Sequence, residues 1–274
     1  MNKVITLGTG CPSPTHLRYG PSTLLMFEGT NILIDAGSGV TQRLSQSGLK
    51  PSEIDCLMIT HLHSDHIVDM YQLYISGWHT GRNSTFLVIG PKGLKKFFAG
   101  IMSAYQEELD LRKSWEKRPN TKGLDFEIIE IDDELNYSIG KIDVRSIDVN
   151  HEPVSPAYGY EFTLGSKKLV YSGDTAYSKN LEEASMFADI LIHEVFIDLE
   201  LDEKRMSIDT LKNVKSYHSS PEEIAKLASA AKVKKLILNH FVPPVFNRNE
   251  LIKEISTIFD GELFLSEDLM QFEI

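Results

Sequence analysis

The stretch THLHSDH, residues 60–66, places three histidines and one carboxylate within six positions, directly after the apolar run CLMI at residues 56–59. That run predicts a short buried strand, so the histidines follow the point where a strand ends. A helix would point His61 and His63 about 200° apart, because its period is 3.6 residues. In a loop, or in the first turn of a following helix, the four donors can converge on a cation.

Imidazole nitrogens and a carboxylate oxygen are the ligands that Zn²⁺ and similar divalent metals prefer. The stretch therefore predicts a metal site. The competing interpretation is a solvated polar loop that happens to hold three of the nine histidines in the chain.

Length and charge restrict the class of protein. A chain of 274 residues can bury one large core, and we expect a single domain over residues 1–274. The apolar fraction of 42% and the charged fraction of 24% are typical of globular proteins. The formal charge of −11 argues against a broad electrostatic surface for nucleic acid or for an anionic membrane.

Cysteine usage predicts the compartment. Two cysteines, Cys11 and Cys56, cannot form a disulfide framework, which fits a reducing environment. No signal peptide is visible, and no apolar run approaches the ~20 residues of a membrane span. We therefore expect a cytoplasmic protein that has no membrane partner.

Short apolar runs alternate with helical patterns along the chain. Strands are predicted at residues 4–7, 22–27, 31–34, 56–59, 86–89, 126–131, 136–139, 142–149, 158–164, 168–171, 190–192 and 233–238. Helices are predicted at residues 40–47, 67–75, 94–105, 181–187, 221–231 and 250–258, while the charged segment 106–122 is the least regular. This order predicts a mixed α/β protein of two sheets with helices outside.

Polar residues that could form a site recur at one kind of position. The following residues each come within a few positions after an apolar, strand-like run: Asp35, His61, His151, Asp174, His193 and His240. Side chains at strand ends are held by a rigid scaffold, and binding sites form there preferentially. We therefore expect scattered residues from this set to form one constellation.

These residues carry a family resemblance. The stretch HLHSDH at residues 61–66 matches the HxHxDH signature of the metallo-β-lactamase superfamily of metallohydrolases. Asp35 within LIDAG, His151, Asp174 within SGDT, and His240 fall in the order of that family, so the resemblance covers nearly the whole chain. It implies a four-layer αββα sandwich with two Zn²⁺ ions per chain at one edge of the sheets, Mn²⁺ or Fe²⁺ being the alternatives.

The resemblance also implies a role for each residue. His61, His63 and His151 would hold one zinc ion, Asp65, His66 and His240 the second, Asp174 would bridge them, and Asp35 would orient the ligands from behind. Asp65 is counted among the catalytic residues as well. Two ions ~3.5–4 Å apart lower the pKa of bound water towards ~7, which implies a hydrolase that uses a metal-bound hydroxide.

Two further motifs indicate which branch of the metallo-β-lactamase superfamily the chain resembles. HEVF at residues 193–196 and YHSS at residues 217–220 look like the HEAT and HST motifs of ribonuclease Z and its relatives. There the Glu and the distal His form a proton relay, which implies His218 as general acid and Glu194 as the group that sets its tautomer. The alternative for His218 is a surface histidine preceding a helix. His193 carries no catalytic prediction.

Departures from ribonuclease Z concern the substrate. Only residues 161–171 separate Gly159-Tyr160 from the SGDT stretch, so the long arm that grips tRNA is absent. The PxKxRN loop is replaced by PSPTHLRYGP at residues 12–21, in which Arg18 is either a contact to an anionic substrate or a surface arginine. With the charge of −11, these departures disfavour tRNA and place the chain nearer the arylsulfatase-like and uncharacterised branches beside ribonuclease Z.

We therefore expect a dinuclear zinc phosphodiesterase that acts on small-molecule or short, single-stranded nucleotide esters. The alternative is an arylsulfatase-like sulfate ester hydrolase of the same fold. A tRNA 3′-processing endonuclease, a di-iron redox protein and an inactive interaction protein rank below these, since no flavodoxin-like domain follows and the set of seven ligands is complete. A homodimer is suggested by the resemblance alone.

Overall fold

The computed structural model describes residues 2–118, 120–197 and 207–274. Its strands are β1 (Lys3–Gly8), β2 (Ser22–Phe27), β3 (Thr30–Ile34), β4 (Cys56–Met58), β5 (Phe86–Pro91), β6 (Phe126–Ile131), β7 (Asn136–Ile139), β8 (Ile142–Asp148), β9 (Tyr158–Leu164), β10 (Lys167–Tyr171), β11 (Ile190–Phe196), β12 (Lys235–Val242), β13 (Glu262–Leu265) and β14 (Met270–Glu273). Its helices are α1 (Val40–Gln46), α2 (Ser64–Ile67), α3 (Met70–His79), α4 (Leu94–Ala104), α5 (Gln106–Glu116), α6 (Lys179–Ser185), α7 (Ile208–Lys215), α8 (Pro221–Ala230) and α9 (Arg248–Ser256).

The described strands form two seven-stranded sheets of matching plan. The first has the order β14-β1-β2-β3-β4-β5-β6, and the second has the order β13-β12-β11-β10-β9-β8-β7. Strands β3 to β6 run parallel to one another, as do β10 to β13, whereas the remaining pairs are antiparallel. The carboxyl ends of parallel strands lie at one edge of a sheet, which is where such sheets bind ligands.

Apolar side chains on both faces of each sheet produce the layers. Residues such as Ile34 and Met58 of the first sheet and Phe162 of the second share one core between the sheets. The opposite face of the first sheet packs on α1, α3 and α4, and that of the second packs on α6, α8 and α9. Strands covered on both faces are apolar at almost every position. The prediction of a four-layer αββα sandwich is confirmed.

The helix predicted over residues 67–75 corresponds to α3, which begins at Met70 and continues to His79, and the separate short helix α2 precedes it. Helix α2 ends at Ile67 and α3 begins at Met70. Between them, the carboxylate of Asp69 accepts hydrogen bonds from the backbone nitrogen and the hydroxyl of Thr41, at 3.0 and 2.9 Å. These bonds tie the break to the start of α1.

The segment predicted to be least regular, residues 106–122, contains helix α5. Arg112 pairs with Glu108 and, at 3.2 Å, with Glu116, each four residues away. Such pairs stabilise an exposed helix without an apolar stripe, which explains why hydrophobic periodicity did not predict it. Across the described residues, every helix is too short or too polar to span a bilayer.

Candidate metal centre and proton relay

The predicted ligands come together at one edge of the sandwich, although they come from distant parts of the chain. They form two groups, His61, His63, His151 and Asp174 in one and Asp65, His66 and His240 in the other, and within each group the ligand atoms lie within 4.8 Å of one another. The first two histidines precede α2, whereas Asp65 and His66 belong to its first turn. The ends of β8 and β10 and the strand β12 supply the other three.

The first group consists mainly of imidazole nitrogens that face one another. Nε2 of His61 and Nε2 of His151 lie 2.9 and 3.1 Å from Nδ1 of His63. Nδ1 of His151 donates to the carbonyl oxygen of Tyr217 at 2.9 Å, so its Nε2 carries a lone pair. Burial lowers the pKa of all three rings, that of His61 well below its ordinary value, which favours neutral imidazole. Neutral nitrogens that converge in this way are suited to a cation.

The second group has the spacing of a coordination shell. Nε2 of His66 lies 3.5 Å from Oδ2 of Asp65 and 3.4 Å from Oδ2 of Asp174. Nε2 of His240 lies 3.4 Å from each of the same two oxygens. A tetrahedral ion with bonds of about 2.0–2.1 Å would separate its ligands by roughly 3.3–3.4 Å. Nε2 of His66 is buried and makes no hydrogen bond to the described residues, so it is available to such an ion.

Asp174 lies between the two groups. Its Oδ2 atom is 3.9 Å from Nε2 of His61 in the first group and 3.4 Å from Nε2 of His66 and of His240 in the second. Burial opposes the charge on this carboxyl group, but His240 and His66 hold its pKa well below the usual range. The side chain is therefore an ionised carboxylate placed where it can contact two cations.

Asp35 fixes the orientation of His66. Its Oδ2 atom accepts a hydrogen bond from Nδ1 of His66 at 2.8 Å, and its Oδ1 atom accepts one from the backbone nitrogen of Thr60 at 2.9 Å. Burial opposes a proton on His66, but Asp174 and Asp35 outweigh it and raise the pKa well above the ordinary value. The same carboxylates would attract a metal cation to Nε2.

Two site residues adopt a backbone conformation that is rare outside glycine. Asp35 has φ of 61° and His240 has φ of 43°. Left-handed conformations of this kind cost free energy and concentrate at functional sites. The surrounding packing therefore holds both side chains at the cluster at the expense of local strain.

The donor set fits divalent ions that accept nitrogen and oxygen ligands. Five imidazoles and two carboxylates are typical of Zn²⁺ sites and acceptable to Mn²⁺ or Fe²⁺. Cys11 is not a comparable donor, because burial raises the pKa of its thiol to about 11. The described residues thus form two groups that could each hold a metal ion, and Asp174 of the first group lies next to the second.

Glu194 and His218 form an ion pair beside this cluster. Nδ1 of His218 donates to Oε1 of Glu194 at 3.0 Å, and the His218 ring centre lies 5.4 Å from that of His151 and 5.9 Å from that of His240. Burial opposes the charge on His218, but Glu194 outweighs it and raises the pKa to about 9. His218 is therefore a buried imidazolium at neutral pH and not the exposed surface histidine considered as the alternative.

The surroundings hold this ion pair in place. Oε1 of Glu194 also accepts from the backbone nitrogens of Thr175 and Ser219, at 3.2 and 3.0 Å. His218 lies two residues before Ser220, the N-cap of α8, whose side chain forms a reciprocal capping box with Glu223. Nδ1 of the buried His193 donates to the carbonyl oxygen of Glu194 at 2.7 Å, which is a structural contact.

Two residues were incompletely understood from sequence. Tyr217 holds His151 through its carbonyl group, and its ring centre lies 5.1 Å from that of His151, yet only its neighbour His218 was singled out. Arg18 was considered as a substrate contact or a surface residue. Its guanidinium stacks 4.4 Å from the ring centre of Phe241, and its Nη1 donates to the carbonyl oxygen of Ser266 at 2.9 Å. Arg18 also lines the cleft that borders Asp65, so a contact to an anionic substrate stays a prediction.

Comparison with known proteins defines the class. The metallo-β-lactamase fold protein YhfI from Bacillus subtilis superposes with a TM-score of 0.77 at 21% identity, covering 99% of this chain and 98% of that one. Human tRNase Z, short form (ELAC1), superposes with a TM-score of 0.75 at 23% identity, covering 99% of both chains. The fold of this chain is therefore the metallo-β-lactamase fold.

The family follows from sequence comparison. The family model described as Anti-Pycsar protein Apyc1 matches residues 2–264, and the chain belongs to that family. Ribonuclease Z from Mycobacterium sp. (strain KMS) is 31% identical over 279 residues, which cover 100% of this chain and 96% of that protein. The predicted resemblance is confirmed, and the relatives support a metal-dependent hydrolase of phosphodiester bonds.

The absence of a long arm is shared with a relative that is named Ribonuclease Z. The alignment with the mycobacterial protein spans 279 positions against 274 residues here, which leaves room for about five inserted residues. That relative therefore also lacks a long arm, although it is named Ribonuclease Z. The missing arm does not by itself separate this chain from proteins of that name.

Proposed function

We propose that this protein is a dinuclear zinc phosphodiesterase acting on small or short single-stranded phosphodiesters, with Mn²⁺ or Fe²⁺ as alternative metals. The observation that carries the proposal is the joining of two ligand groups by the Asp174 carboxylate, with the imidazolium of His218 beside them. A second candidate function has no comparable support.

Each side chain has a proposed role that follows from its position. One ion would be held by His61, His63 and His151, the other by Asp65, His66 and His240, with Asp174 contacting both. When bound, two such ions supply a water nucleophile at neutral pH and polarise a phosphoryl oxygen. Asp35 keeps His66 in the tautomer whose Nε2 faces the ion.

His218 would protonate the leaving group. Attack of water on phosphorus breaks the bond to the leaving oxygen, which then needs a proton to depart as an alcohol. Nδ1 of His218 is occupied by Glu194, so Nε2 is the atom that would donate this proton. A pKa of about 9 keeps the proton on the ring at neutral pH. Asp65 contributes by positioning the second ion, next to His240.

Two observations support a small substrate. The formal charge of −11 disfavours an extended polyanion such as folded RNA. A cleft of about 360 Å³ borders Asp65, within the size range of ~300–1,000 Å³ typical of small-molecule sites. The description of the matched family adds the hypothesis of an anti-Pycsar role.

A substrate panel on metal-quantified protein tests the proposal. Bis(p-nitrophenyl) phosphate, 3′,5′-cyclic nucleotides, a short single-stranded RNA, a tRNA precursor and p-nitrophenyl sulfate are compared by kcat/KM. We expect hydrolysis of the small phosphodiesters to exceed that of the tRNA precursor and the sulfate ester. Faster cleavage of the sulfate ester or the tRNA precursor, or no phosphodiester cleavage with Zn²⁺ or Mn²⁺, would contradict it. His79→Ala, at the end of α3, is the control histidine variant.

The remaining expectations from sequence stay proposals. We propose a single domain over residues 1–274 and a cytoplasmic location, the latter supported by two buried, unpaired cysteines, Cys11 and Cys56. A homodimer is still suggested only by the resemblance. Light scattering of the purified protein at several concentrations tests it, and a monomer mass throughout would contradict it.

A further inference from the structure

A cleft with a volume of about 360 Å³ opens directly beside the candidate metal ligand Asp65. One wall comes from the segment between β1 and β2, and another comes from Val68 at the end of α2. Pro12, Pro14, Tyr19 and Val68 are the larger apolar residues that line it, and Arg18 lines it as well, with its guanidinium stacked on Phe241. A group attached to a phosphate at the candidate metal centre would therefore meet apolar walls.

Tyr19 is held rigidly in this cleft. Its backbone nitrogen donates to Oδ2 of Asp268 at 2.8 Å, and its carbonyl oxygen accepts from the backbone nitrogen of Gly10 at 2.8 Å. The Arg43 guanidinium lies 4.0 Å from the centre of its ring. One edge of the ring lies on Gly39, where an added Cβ would come within 2.2 Å of the ring.

The carboxylate of Asp268 also holds Arg43, the side chain that lies against the ring of Tyr19. Nη2 of Arg43 contacts Oδ2 of Asp268 at 2.9 Å, and the backbone nitrogen of Thr9 donates to Oδ1 at 3.0 Å. Asp268 thereby ties together the end of β1, α1 and the segment between β13 and β14. Tyr19 nevertheless remains 40% exposed, and Val68 remains 60% exposed, so each has free surface. An aromatic wall that is already ordered binds with little loss of conformational entropy.

We propose that this cleft binds the planar, uncharged ring of the substrate, and that Tyr19 and Val68 are the residues that contact it. This inference rests on the proposed phosphodiesterase function, because it places the phosphate at the metal ligands next to Asp65. The ring belongs either to a nucleobase or to a simple aryl ester, and both share the chemistry of a flat apolar surface. The cleft makes Tyr19 and Val68 specificity-determining residues.

Matched phosphonates test the inference without requiring turnover. Binding of methylphosphonate, phenylphosphonate and uridine 5′-methylphosphonate to the metal-loaded protein is measured by calorimetry. The first carries no ring, so its affinity reports the metal centre alone. We expect at least one of the two ring-bearing probes to bind about 10-fold more tightly than methylphosphonate, because part of a ring leaves water. The ring-bearing probe with the larger gain in affinity over methylphosphonate shows whether the ring belongs to an aryl ester or to a nucleobase.

Four variants connect this preference with the cleft. Tyr19→Ala and Val68→Ser should each reduce the preference to less than about 3-fold while the affinity for methylphosphonate stays the same. Tyr19→Phe keeps the ring and should keep the preference. Leu17→Ser is the control, because Leu17 is exposed but lines a different cleft.

The outcomes separate this inference from the proposed function. An unchanged preference in both Tyr19→Ala and Val68→Ser, or no preference in the original protein, would overturn it. If the protein hydrolyses phosphodiesters but binds the ring-bearing probes no more tightly than methylphosphonate, only the cleft assignment is contradicted. If the protein cleaves no phosphodiester but its ring preference disappears in Tyr19→Ala and Val68→Ser, only the proposed function is contradicted.

Discussion

Nδ1 of His218 lies 3.0 Å from Oε1 of Glu194, and both side chains are buried. The same oxygen accepts from two backbone nitrogens, those of Thr175 and Ser219. Glu194 therefore cannot rotate away without losing three hydrogen bonds. The contact fixes one proton on Nδ1, so Nε2 is the ring atom of His218 that remains to donate a proton.

Removing His218 should lower turnover without removing metal. His218→Ala deletes the proposed proton donor but none of the candidate ligands, so we expect kcat to fall by ~10²–10⁴. Metal content, measured by mass spectrometry, should stay at the original value. His79→Ala should leave both quantities unchanged. Full turnover in His218→Ala would eliminate the relay.

The pH profile should depend on Glu194. Burial opposes the charge on His218, and Glu194 outweighs it, raising the pKa from 6.5 to about 9. Protonated His218 is needed to donate, so the alkaline limb of kcat should move to lower pH in Glu194→Gln. An alkaline limb at the same pH in both proteins would show that His218 does not donate the proton.

The same pair should contribute stability over a defined pH window. A group whose folded pKa is raised stabilises the fold fully below its unfolded pKa, here about 6.5, and this contribution is lost as pH rises through about 9. The difference in unfolding free energy between the original protein and Glu194→Gln should therefore be larger at pH 6 than at pH 10. Chemical denaturation of the metal-free proteins measures it, and a constant difference would argue against the ion pair.

Each ligand group should hold its own ion. His63→Ala removes a ligand of the first group and His240→Ala removes one of the second, so each should lower the metal content from about two ions per chain towards one. Equilibrium dialysis followed by elemental analysis gives the number. Retention of two tightly held ions by both variants would contradict the ligand assignment.

Asp35 should act on metal affinity through His66. Asp35→Asn weakens the hydrogen bond to Nδ1 of His66 and should reduce affinity by ~10–100-fold, as measured by competition with a chelator. Asparagine tolerates the left-handed backbone at φ of 61°, so this variant should fold normally. Asp35→Ala adds backbone strain and should lower the melting temperature further. Unchanged metal affinity in Asp35→Asn would show that the contact to His66 is only structural.

The sequence was most informative where the chemistry is local. The donors His61, His63, Asp65 and His66 lie within six residues, and their spacing alone predicted a metal site. The distant ligands His151, Asp174 and His240 were singled out because each comes within a few positions after an apolar run and falls in the order of the family, although His240 lies inside β12 rather than after it. Their assignment to particular ions came from the family resemblance and stays a prediction.

Contacts between residues far apart in the chain could not be predicted from the sequence. Nothing around Arg18 indicates that its guanidinium packs on Phe241, more than two hundred residues away. The brace of Tyr19 by Arg43 and Asp268 likewise depends on three segments meeting in space. Helix α5 was missed for a different reason, since its stability comes from charged pairs such as Arg112 with Glu116.

Titration of metal-free protein with Zn²⁺ or Mn²⁺, while hydrolysis of bis(p-nitrophenyl) phosphate is followed, tests the central claim most directly. The joining of the two ligand groups through Asp174 predicts that activity rises until about two ions are bound per chain and then levels off. A plateau at one ion per chain, or no hydrolysis at any metal concentration, would contradict a dinuclear phosphodiesterase.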